Sequence, residues 1–249
     1  IFYRQMKLTR FKHSPYHKFI YGKIDLFLVI TKKLHNEACK YLPLRKSIIH
    51  VLSYGISKPD YKLSISKKAF FDKYNMESSI FSIGVFSRIE EQKGQHLLIE
   101  AIRQSKHKIQ LFIVGHCMDE KYKNKLKNIS SEYNLSSHIC FTGFLQSPMN
   151  YMPFFNLVVL PTYEETFGLV VAEAMLMKVP VLGSNAGGVP EIITHESNGL
   201  LFETRNYNDL QDKIDMVIEN SQLREKIIDN GFNFVNKYYD YYSHFDKFE

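Results

Sequence analysis

A doubly wound α/β fold with a Rossmann-like parallel sheet is predicted by three observations. Short, near-continuous apolar runs recur along the chain, at residues 24–30, 47–52, 80–86, 109–114, 138–142, 156–161 and 179–183. Segments of helical spacing separate most of them, at residues 32–41, 95–104, 120–133, 168–177 and 208–218. Glycine and polar residues gather where the runs end. Strands buried on both faces and alternating with helices belong to parallel sheets, and open sheets of this kind take ligands beyond the carboxyl ends of their strands.

In chain order, residues 1–57 carry two strands and a helix, too little for a domain, and read as the tail of an amino-terminal, acceptor-side domain. Residues 58–66, within the polar, proline-bearing GISKPDYKLSIS, read as a linker. Residues 67–231 form the expected sheet domain, and the aromatic-rich 232–249 is expected to be a carboxy-terminal helix. The opening Ile1-Phe2-Tyr3 is read as a cut in a longer chain.

Composition narrows the class. Of 249 residues, 45% are apolar and 23% charged, the balance of a soluble globular chain, so a cytoplasmic protein is expected. No apolar run reaches the roughly 18–20 residues of a spanning helix. Cys39, Cys117 and Cys140 lie far apart and read as buried thiols, not as a disulfide frame or zinc site. Arg4, Lys7, Arg10, Lys12, Lys18 and Lys23 fall before the first acid and account for the whole net charge of +6. That segment suits peripheral contact with the inner face of an anionic membrane, or an acidic glycan; a solvated edge would look the same. Nucleic acid is not expected, since no helix-turn-helix, zinc finger or aromatic RNA-binding pattern accompanies the charge.

Three constellations carry chemistry. Ser87–Gly94 (SRIEEQKG) sets Arg88 and Lys93 on a loop entering a helix, where a planar fork and a compact charge can converge on a diphosphate and neutralise a departing one. The second runs from Glu165 to Glu173, with Phe167-Gly168 just after the first carboxylate. Glycosidases pair carboxylates about 5–10 Å apart, whereas eight helical residues span ~12 Å, so the two glutamates are expected to make separate contacts. Amides at a helix start would face an anion, and carboxylates nearby would hold hydroxyls attached to it. Phosphate plus polyol suggests a nucleotide sugar. The third, residues 184–193 (SNAGGVPEII), supplies paired glycines before a helix start. Each piece alone also fits an ordinary turn or solvated loop. Five strand-end loops on one edge define a site together: Gly84 to Gly94, Gly115-His116, Gly143-Phe144, Glu164–Gly168 and Gly187-Gly188.

Read together, SRIEEQKG, GFL, PTYEETFGLVVAEAM, GSNAGGVPEII and SNGLLF resemble the nucleotide-sugar-binding half of a retaining family 4 glycosyltransferase of the GT-B fold, over about residues 24–235. By that resemblance Glu165 faces the donor sugar and Glu173 the ribose. Arg88 and Lys93 hold the diphosphate of a UDP- or GDP-sugar. The amides near Phe167, Gly168 and Leu169 meet sugar or phosphates, and Gly143, Phe144 and Leu145 lie near the base; Gly84 is counted with them. No metal or cofactor is implied. The resemblance also implies retaining transfer of a hexose to a hydroxyl of a glycan or lipid-linked acceptor, in surface polysaccharide or glycolipid synthesis. A donor-binding remnant without catalysis is the alternative, and an epimerase or phosphorylase of the same fold a third. The chain departs from the family's habit at Ser87, where Gly is frequent, at Tyr54–Ser57, and at His116, where an acidic residue is usual.

Overall fold

The computed structural model describes residues 2–3, 14–60 and 63–242. The amino-terminal piece is a small parallel sheet, β1 (Phe2–Tyr3), β2 (Phe27–Val29) and β3 (Ile49–Val51), in that order, with α1 (Pro15–Tyr21) and α2 (Lys32–Tyr41). Thr31 starts α2 because its hydroxyl accepts from Leu34 N. Of the basic entry segment, Arg4, Lys7, Arg10 and Lys12 lie outside the described residues. In the described part, α1 carries Lys18, buries no residue and leaves Tyr16 and Phe19 exposed.

The main body begins with α3 (Lys67–Lys73), and residues 61–62 of the expected linker also lie outside the description. Then follow β4 (Phe81–Phe86), α4 (Gln95–Gln104), β5 (Ile109–Val114), α5 (Glu120–Glu132), β6 (Ile139–Gly143), β7 (Leu157–Leu160), α6 (Leu169–Leu176), β8 (Val181–Ser184), α7 (Val189–Ile192), β9 (Leu200–Phe202), α8 (Tyr207–Glu219) and α9 (Ser221–Tyr238). The six strands β4 to β9 are all parallel, in the order β6-β5-β4-β7-β8-β9. The chain winds outward from β4 through β5 to β6, then returns to the other edge of β4 with β7. That reversal between β4 and β7 is a topological switch point, where the flanking loops part and leave a crevice.

Helices cover both sheet faces, which is why apolar residues dominate both faces of the strands. Along β5, Leu111 and Ile113 join one core with α4, α5 and α8, while Phe112 and Val114 join the other with α3 and α6. The second core is aromatic: Phe70, Phe71, Phe112 and Phe155 meet in offset and edge-on pairs.

Several expectations are corrected. The carboxy-terminal helix is not a separate element beginning at 232. It starts at Ser221, where Asn220 caps it, and its apolar face packs on α6. Residues 243–249 lie outside the description. The aromatics of 232–238 find partners, since Phe232 and Phe234 pack against the core. Only Cys140 of the three thiols is buried, whereas Cys39 and Cys117 are half-exposed. Burial pushes the Cys140 thiol up to about 12.

The amino-terminal piece is joined to the main body. Glu191 of α7 accepts from Lys32 N and Lys33 N, each at 2.8 Å, so its carboxylate caps α2. Ile56 N donates to Tyr239 O at 2.7 Å. Phe167 lies edge-on to both Tyr54 and Tyr239, with ring centroids 5.3 Å apart in each pair.

Candidate functional site

The switch-point crevice is laced shut below by the backbone. After β4 a single 3-10 turn, Glu91–Lys93, ends at Gly94, which has φ +67° and starts α4. A Cβ on Gly94 would stand 2.1 Å from the Pro161 carbonyl oxygen, so glycine lets the turn after β4 touch the end of β7. Tyr163 N and Thr162 Oγ1 both donate to Gln92 O, at 2.9 and 3.2 Å. Ser184 Oγ fixes the same loop by donating to Thr162 O at 2.6 Å.

This lacing brings two distant expectations together. Lys93 Nζ reaches Glu165 Oε2 at 3.1 Å, with side chains 17% and 19% exposed. The other Glu165 oxygen accepts from Thr166 N at 3.0 Å. Arg88 is also paired, to Glu90 Oε1 at 2.9 Å, but its side chain is 59% exposed.

Beside Arg88 lies a cavity of about 240 Å³ with a largely apolar wall. Arg88, Phe144, Leu145 and Glu173 all line it, although they come from three parts of the sequence. Val170 and Glu173 reach it together because they sit one turn apart on α6. Burial in these surroundings raises the Glu173 carboxyl above its ordinary range. His116 and Phe144 stack nearly parallel, 15° between planes and 4.7 Å between centroids, to make one wall.

Gly168 is the N-cap of α6, with φ +97° and no side-chain acceptor. In the first turn Val171 N donates to Gly168 O at 2.9 Å, whereas the amides of Leu169 and Val170 precede any partner one turn back, the arrangement that favours an anion. Leu169 is partly exposed.

Glu165 lines a second hollow, about 320 Å³, with Lys33, Tyr163, Asn185, Gly187 and Thr204. The two glutamates thus face different spaces, in keeping with separate contacts. One expectation changes. Gly84 is not in a loop but inside β4, paired with Phe112 and Val158, and a Cβ there would meet Phe86 and Phe155 at 2.8–2.9 Å. It serves aromatic packing. The Phe167 side chain is 3% exposed and packs in the core, and the expectation there concerned its amide. Gly143, at φ +72°, turns the chain toward Phe144 and Leu145 with nothing within 4 Å of where its Cβ would be.

Other residues emerge only in three dimensions. His96 bridges Tyr122 and Tyr163, at 2.8 and 2.7 Å, and burial lowers its pKa. His96 N also donates to Tyr122 Oη at 3.2 Å, so backbone and ring hold the same hydroxyl. Arg205 stacks on Tyr163 at 4.6 Å. His116 was visible in sequence as the residue after a strand-end glycine; Tyr163 and Asn185 fall inside the motifs PTYEETFGLVVAEAM and GSNAGGVPEII, without a role of their own there.

A doubly wound parallel sheet whose switch point gathers cations, carboxylates and helix-start amides is a frame that takes ligands beyond the carboxyl ends of its strands. Residues 66–234 match the family of glycosyl transferases group 1, and the chain belongs to that family. It is 28% identical over 229 residues to an uncharacterized glycosyltransferase of Methanocaldococcus jannaschii, covering 91% of this chain and 59% of that one. It is 24% identical over 224 residues to the capsular polysaccharide biosynthesis glycosyltransferase CapM of Staphylococcus aureus, covering 86% and 58%. Among solved structures, Anabaena HepE in complex with UDP-glucose superposes with a TM-score of 0.84 at 24% identity, over 93% of this chain and 64% of that one. That likeness shows the GT-B fold. The chain spans under three-fifths of the length of these curated relatives.

Proposed function

We propose that this chain binds the donor of a retaining hexosyl transfer, a UDP- or GDP-sugar, and passes the hexose to a hydroxyl of a glycan or lipid-linked acceptor. One observation carries the reading: Arg88 and Glu173 converge on one apolar cavity, beside a Lys93–Glu165 pair at the switch point. The base lies against the apolar wall, Glu173 takes ribose hydroxyls, and Arg88, Lys93 and the α6 amides hold the diphosphate. Glu165 takes the donor sugar. The acceptor oxygen bonds to the anomeric carbon as the bond from that carbon to the diphosphate oxygen breaks. The electron pair leaves with the diphosphate, and the acceptor proton passes to a diphosphate oxygen on the same face. Arg88 and Lys93 stabilise the departing charge electrostatically, a role that needs no metal. A place in surface polysaccharide synthesis is supported by the name of CapM and by the O-antigen glycosyltransferase WclY of Escherichia coli, 26% identical over 187 residues.

Calorimetric titration of the purified chain with UDP and GDP tests the donor reading. Micromolar binding of one of them is expected, and binding of neither overturns it. The share of its relatives that the chain spans favours a second reading, donor binding without transfer. Release of UDP from UDP-sugar with acceptor supports transfer, and binding without release supports the second reading.

A further inference from the structure

Gln95 opens α4 directly after Gly94 and is 0% exposed. Its Nε2 donates to Ser87 Oγ at 3.0 Å and to the Arg88 carbonyl at 2.8 Å. Only nitrogen can donate to a carbonyl, so the amide's orientation is fixed. Its Oε1 finds no partner among the described residues. A helix-start residue packed against apolar neighbours would be better served by leucine unless the two donated bonds matter, because an unpaired buried oxygen is destabilising.

What those bonds hold is the root of Arg88. The backbone on either side is already tied, by Ser87 N to Val114 O at 3.0 Å and Ile89 N to His116 O at 2.8 Å. Gly115 lets the Ser87 carbonyl approach to where a Cβ would stand 2.1 Å away. Gln95 adds a grip on the Arg88 peptide from beneath, and Glu90 restrains the guanidinium from the side. A long, half-free arginine loses rotamer freedom when it takes a ligand, and fixing its root lessens that loss. The same contact gives Ser87 a purpose, since its hydroxyl is Gln95's other acceptor.

We propose that Gln95 is the positioning residue for Arg88, aiming the guanidinium at the diphosphate end of the apolar cavity. The inference rests on Arg88 being a diphosphate ligand. In titrations of the purified chain, Q95L is expected to weaken UDP binding roughly tenfold while uridine binding and melting temperature barely move. In an R88A background, Q95L is expected to change UDP binding less than about twofold, because the grip then has nothing to aim. Q95M, closer in length, is the second variant if circular dichroism shows Q95L to be unfolded. Unchanged UDP affinity in the single variant, equal losses for uridine and UDP, or an undiminished loss in R88A overturns the proposal. Failure of the unaltered chain to bind either UDP or GDP overturns the nucleotide reading and this inference with it; if GDP alone binds, GDP and guanosine replace UDP and uridine in these titrations, and binding with an inert Gln95 overturns only the inference.

Discussion

Gly187 lies directly beneath Glu165: a Cβ on Gly187 would stand 1.6 Å from the Glu165 carbonyl oxygen, which also accepts from Gly188 N at 3.0 Å. The paired-glycine turn after β8 is thus a saddle for the loop that presents Glu165. With φ +59° at Gly187, alanine meets both strain and collision. G187A is expected to lose about 2–4 kcal/mol of stability, read by chemical denaturation, and to lose sugar-nucleotide binding at temperatures where it is still folded.

Lys93 and Glu165 are partners in an ion pair but have different proposed ligands. K93M is expected to weaken UDP binding about 10- to 100-fold, the worth of a charge-assisted contact. E165Q is expected to leave UDP binding within a few-fold and to abolish UDP-sugar turnover in the active enzyme. Titration with UDP alone beside a transfer assay checks the split; equal effects on both readouts would refute it.

Glu173 supplies a pH signature. Burial raises its carboxyl above the ordinary 4.5, so the folded chain holds that proton more tightly than the unfolded chain. The resulting stability is fully present below pH 4.5 and is lost as pH rises through the raised value. E173Q is expected to remove this fall and to melt higher than the unaltered chain at pH 7. Melting curves across the range decide it, and parallel profiles for the two proteins would count against it.

Glu191 fastens α2 by taking two first-turn amides at once. E191A is expected to cost about 1–2 kcal/mol. Hydrogen exchange should quicken at Lys32 and Lys33 while β4 and β5 keep their protection. Uniform loss of protection would mean that the contact supports the whole fold.

The parallel strands were legible because β5 and β7 are apolar without alternation, and α4 because its pattern is strongly periodic. The carboxylates and cations of the site were legible as residue types set at strand ends. The pairing of Lys93 with Glu165 was not, since it depends on Gly94 meeting Pro161 across the switch point, a contact between segments with no shared local pattern. Gly84 misled because a glycine near a strand end looks the same whether it frees a loop or makes room for a ring. Gln95 was hidden inside a helical run, where a buried amide and a solvated one are spelled alike.

The edge-on rings of Tyr54, Phe167 and Tyr239 tie the Glu165 loop to segments far away in the chain. The loop's seat is therefore built in part from the residue that ends α9. A chain clipped just before Tyr239 would keep every proposed ligand-binding residue and still lose one of the two rings against which Phe167 rests, so a cut far from the ligand is expected to weaken nucleotide binding.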